Sequence, residues 1–116
     1  MEPLSSNSLL DERKPRNTVG EQISFDKAIA WTAAYQNDHA GGLKSVFFST
    51  DVFEALSKQD GATGIRIYNA INSEGKECFV LVGATVDGDL TREQNIAVDK
   101  GQGCPDICVI SPLNHS

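Results

Sequence analysis

Long apolar runs are missing from this chain. No stretch approaches the roughly 20 apolar residues that a helix needs to cross a bilayer. The opening residues, MEPLSSNSLLDERK, begin with an acid and hold only Leu9-Leu10 as an apolar pair. A secretory signal would need a basic start and a longer apolar core, so the expectation is a cytoplasmic protein with no membrane partner. Basic charge is scarce as well. Ten Lys and Arg against sixteen Asp and Glu give a net charge of −6 and a pI near 4.7. That balance repels phosphate backbones and argues against nucleic acid as a partner. The one basic cluster, Arg13-Lys14-Pro15-Arg16, falls in a polar N-terminal stretch and reads as a solvated tail.

Cysteine is sparse too. The three present are an odd number, which fits reduced thiols better than a disulfide framework. No glycine-rich phosphate loop occurs; the glycines stand singly at turns. Neither histidine has a partner fixed by local sequence, so no Ser-His-Asp set can be assembled. His39, beside Asp38, reads as a residue of a helix C-terminus. Asp87-Gly88-Asp89 lacks the glutamate a calcium loop requires, since position twelve is Val98. No catalytic residue and no cofactor follow from the sequence.

What is present centres on residues 64–90, which hold the densest β-branched and large apolar residues of the chain. Ile65, Ile67 and Ile71 alternate with Arg66, Tyr68 and Ala70, the period of a strand. The run from Cys78 to Ala84 is apolar throughout, the pattern of a strand covered on both faces. Gly75 suits the positive φ of a tight hairpin between them. A loop at Glu74-Gly75, or over 73–76, sets Ile71 opposite Cys78, Tyr68 opposite Leu81, Ile67 opposite Val82 and Ile65 opposite Ala84. One face then carries Ile65, Ile67, Ile71, Cys78, Val80 and Val82, and the other Tyr68, Ala70, Phe79 and Leu81.

Upstream, Ser24 is placed to cap a helix over 24–38, whose apolar stripe is Phe25, Ala28, Ile29, Thr32 and Tyr35, with Trp31 at its margin. That stripe is the natural cover for one face of the hairpin. Residues 43–49 read as a strand and 51–58 as a short helix, with Asp51 and Glu54 early and Lys58 late, as the helix dipole favours. A weak strand is expected over 94–99. The fold class is therefore α+β, a three- to four-stranded mainly antiparallel sheet with two helices on one face. One domain over residues 21–100 is expected between a disordered tail, 1–20, and a Cys- and Pro-containing tail, 101–116.

Cys104-Pro105-Asp106-Ile107-Cys108 resembles the copper-binding loop of the thioredoxin-like copper chaperones that assemble cytochrome oxidase. The resemblance implies two thiolates and a distant histidine as copper ligands, here Cys104, Cys108 and His115. It spans five residues, and the βαβ unit of that family does not precede them. A wider resemblance, over residues 24–108, is to a family of small bacterial proteins with no established activity. It rests on Trp31, the strand Gly64 to Tyr68, Leu81 to Gly83, Asp87 to Leu90 and Cys104-Pro105.

Two functions are expected as alternatives. The first is a non-catalytic interaction or accessory module that binds a protein partner or forms a homo-oligomer through Tyr68, Phe79 and Leu81. The second is a metal-binding protein, for copper or zinc, or a redox thiol protein, acting through Cys104, Cys108 and His115.

Overall fold

A computed structural model describes residues 18–115. Most of the expected N-terminal tail thus lies outside the described residues. The first element, α1 (Phe25–Asp38), starts where Ser24 turns from extended backbone into the helix, its hydroxyl accepting from the Lys27 amide at 3.1 Å. That bond satisfies one of the helix's orphan donors. The strand β1 (Ser45–Phe47) and the helix α2 (Thr50–Ser57) follow. Then come β2 (Gly64–Ile71), β3 (Glu77–Thr85), β4 (Gly88–Asp89), β5 (Ala97–Val98) and β6 (Gln102–Cys104). The α+β class holds, with two antiparallel sheets among the described residues.

The larger sheet has β3 at its centre. β2 pairs along one side, and the short strands β4 and β5 share the other. The hairpin turn falls where Gly75 was expected to allow it, at φ +80°. The register differs from expectation by one residue: Ile71 faces Glu77, Tyr68 faces Val80, Ile67 faces Leu81 and Ile65 faces Gly83. The cause is Asn72. Its amide donates to the Lys76 carbonyl and its own carbonyl accepts from Gly75, both at 2.9 Å. Its side-chain oxygen accepts from the amides of Glu74 and Lys76. The loop is thereby three residues long, a turn followed by a left-handed glycine. A slip of one residue moves all of one strand's side chains to the other face of its partner. Ile65, Ile67, Phe79 and Leu81 therefore share one face. Arg66, Tyr68, Ala70, Cys78, Val80, Val82 and Ala84 share the other.

The helix α2 lies on the first of these faces, and its Leu56 is fully buried. Gly83 lets the helix end approach this closely: a Cβ there would sit 2.9 Å from the Leu56 carbonyl oxygen. Just past the helix, Gln59 donates to that same carbonyl and accepts from the Ile96 amide at 2.8 Å, tying the β5 segment to α2. Leu56, Leu81, Val82, Ala84 and Cys104 form the buried apolar core of the described residues.

Two elements depart from expectation. The strand expected over 43–49 does not join the larger sheet but pairs with β6, Ser45 facing Cys104. The segment expected as a Cys- and Pro-containing tail thus supplies a strand. The apolar stripe of α1 buries no residue, and Phe25 and Trp31 stay exposed. Its Tyr35 lines a hollow of about 540 Å³ shared with Leu43, Ala70, Cys78 and Phe79. The stripe is thin, with a threonine and an alanine at its middle, so it has little area to bury. Its polar neighbours bond elsewhere, as described next.

Candidate functional site

Three places in the fold carry polar or chemically reactive groups: the outer edge of β2, a side-chain cluster on the sheet, and the C-terminal disulfide loop.

β2 is an edge strand. The Asn72 amide points at β3, and backbone direction alternates along an antiparallel strand. The amides and carbonyls of Ile65, Ile67, Asn69 and Ile71 therefore point away from β3. No other strand of the described residues pairs with them. Ile67 and Ile71 are 53% and 72% exposed, on the same side of this edge.

On the opposite face, Arg66 and Tyr68 both reach Asp89. The Arg66 guanidinium and the Tyr68 hydroxyl each donate to one carboxylate oxygen at 2.5 Å, and Arg66 also donates to the Thr85 carbonyl at 3.0 Å. The pairing of β4 with the end of β3 brings Asp89 there, opposite Ala84. The hydrogen bond from Tyr68, then that from Arg66, holds the Asp89 carboxyl below the usual carboxylate range. Asp89 in turn pushes the Tyr68 hydroxyl and the Arg66 guanidinium up. All members are satisfied by one another, so the cluster is a clamp between β2 and β4 and holds no poised acid or base.

Of the residues expected as one interaction surface, Tyr68 lies on one face of the sheet and Phe79 and Leu81 on the other. Leu81 is 1% exposed. The three do not form a common surface, because the Asn72 loop sets the register one residue away from the expected one.

Cys104 and Cys108 are brought together, but as a disulfide, with Cα atoms 4.7 Å apart. This corrects the expectation of three reduced thiols. A tight loop, with the Ile107 amide donating to the Gly103 carbonyl at 2.7 Å, puts the two side chains within bridging range. Cys104 is buried, and Cys108 is exposed. His115 does not join the sulfurs. Its Nε2 is 3.2 Å from the Thr32 hydroxyl on α1. Two sulfurs bonded to each other and a histidine held elsewhere do not fit the copper or zinc site considered from the sequence. Among the described residues no group of three His, Cys, Asp or Glu side chains is placed to hold a metal ion. Cys78 remains a free thiol, and burial, with the nearby Asp99 carboxylate, pushes it up.

Sequence reasoning did not foresee which residues anchor the C-terminal segment. Gln36 donates to the Leu113 carbonyl at 3.1 Å and accepts from the His115 amide at 2.8 Å. Lys44 donates to the His115 carbonyl at 2.6 Å. Gln36 and Lys44 are ordinary polar residues with no local signal of a distant backbone partner. Among the described residues no helix is long and apolar enough to cross a membrane. Comparison with protein-family models, curated proteins and solved structures gives no match.

Proposed function

We propose that this chain is a non-catalytic protein-interaction module whose docking surface is the outer edge of β2. The edge takes up an extended strand, in the first instance from a second copy of the chain. The observation that carries this reading is the rim of an eight-residue strand that no other strand of the described residues pairs. Such rims are templates for further strand pairing, and proteins usually guard them with lysine, proline or a bulge. β2 reads GIRIYNAI and has no lysine or proline. Its one charge, Arg66, is turned onto Asp89. An added strand would satisfy the outward backbone groups and lie beside Ile67 and Ile71. The small buried core argues in the same direction, since a domain of this size gains from surface buried in association.

Light scattering at micromolar concentration, on the wild type and on Asn69→Pro, tests the reading. The Asn69 amide points away from β3, so proline there removes no bond of the hairpin. The wild type should exceed the monomer mass, and the variant should remain folded by circular dichroism yet run as a monomer. A strictly monomeric wild type would overturn self-pairing. Undiminished association of Asn69→Pro would exclude this edge as the surface.

A further inference from the structure

We infer that the Cys104–Cys108 bond is a site of thiol–disulfide exchange, entered at Cys108 by a small or protein thiol. Its redox state sets how firmly the C-terminal segment holds α1. The inference stands independently of the docking role of β2.

The two sulfurs differ in access. Cys104 closes β6 and is 1% exposed, whereas Cys108 lies on the surface. An incoming thiolate needs a straight approach to the sulfur it attacks, so it meets Cys108. It forms a bond to the Cys108 sulfur, the disulfide breaks, and the electron pair leaves on the Cys104 sulfur, which takes a proton from water. Asn114 Oδ1 stands 3.4 Å from that sulfur and is placed to accept the resulting S–H. A second thiolate then attacks the outer sulfur of the mixed disulfide and releases the Cys108 thiol. The protein gains two electrons and two protons, and the reductant leaves as its own disulfide.

The consequence follows from what the loop carries. Beyond Cys108, Asn114 donates to the Val109 carbonyl at 2.7 Å, folding the segment back against the loop. Residues 113–115 then make the bonds to Gln36, Thr32 and Lys44 described above. With the bond intact, a local opening of this segment must carry a closed five-residue loop. Without it, the opened segment gains the freedom of that loop, and by the chain-entropy relation opening becomes about thirtyfold more frequent.

The experiment uses the full chain, oxidised or reduced in defined glutathione buffers. Hydrogen exchange of the His115 amide, which donates to Gln36, should speed up about thirtyfold on reduction. Cys108→Ser, a substitution at an exposed position, should reproduce the reduced rate with no reductant present. Peptide mass spectrometry after acid quenching should find the glutathione adduct on Cys108 before any on Cys104. Three alkylatable thiols in protein isolated without reductant, a first adduct on Cys104, or a His115 exchange rate indifferent both to reduction and to Cys108→Ser would each overturn the inference.

Discussion

Truncating Leu81 to alanine tests the hairpin register and the core together. Leu81 is 1% exposed, faces Ile67 on β2 and Val98 on β5, and projects on the Gly83 side of the sheet, where α2 lies. Removing its isobutyl group withdraws apolar area from water-free contact and leaves a void that a three-stranded neighbourhood cannot fully close. Substitutions of this kind cost about 2–5 kcal/mol, and a central value of about 3 kcal/mol is expected here. Domains of this size have about 5–15 kcal/mol in all, and a core this small puts the protein toward the lower end. The variant should thus lose a third or more of its stability. Urea unfolding followed by circular dichroism reads the effect: with a slope of about 1.5 kcal/mol per molar, the midpoint should fall by about 2 M at unchanged slope. Val86→Ala serves as control. Val86 sits in the turn after β3, away from the β2 edge, and is 67% exposed, so its cost should stay within about 0.5 kcal/mol. A loss below about 1 kcal/mol for Leu81→Ala, or equal losses for both variants, would refute the packing of α2 over this face.

Acid and alkali should both weaken the clamp on Asp89. Its carboxyl is held below its ordinary value of 3.8, so its contribution is complete above that value and disappears as pH falls through the lower folded one. Tyr68 is raised above 10.0, so its contribution is complete below that pH and is lost as pH rises through the folded value. The stability gap between wild type and Asp89→Asn should be flat between these limits and close on the acid side; a gap constant down to strong acid would contradict the clamp. Cys78, pushed up by burial and by Asp99, should react with iodoacetamide at neutral pH more slowly than Cys108 in the reduced protein, and Asp99→Asn should quicken it. Mass spectrometry finding Cys78 labelled first would contradict this.

The sequence announced its elements better than their partners. Ser24, the period-two run of β2 and the apolar run of β3 each act through near neighbours, so their meaning can be read locally. The Asn72 side chain decided the register by bonding two amides of the loop, and counting loop residues from glycine alone could not reveal it. That one contact moved Tyr68 away from Phe79 and Leu81. Asp89 was legible as a turn residue; its place beside Arg66 depends on the turn at Val86-Asp87 folding β4 back along β3. The pairing of β1 with β6 had no local signature at all. It joins two short, weakly apolar segments whose only common property is where the rest of the chain leaves them. The Cys-x-x-x-Cys pattern was visible as a pair, and the choice between thiols, metal and disulfide required the geometry of the loop.

The pairing of Ser45 with Cys104 also orders events in time. During synthesis, β1 leaves the ribosome long before its mate exists, while β2 and β3 are neighbours and can zip as soon as both are free. The central hairpin with α2 is thus expected to assemble first and to act as a scaffold, while β1 waits for β6 and α1 for residues 113–115. A chain stopped short of β6 would keep its scaffold and leave its N-terminal helix without the tether that fastens it.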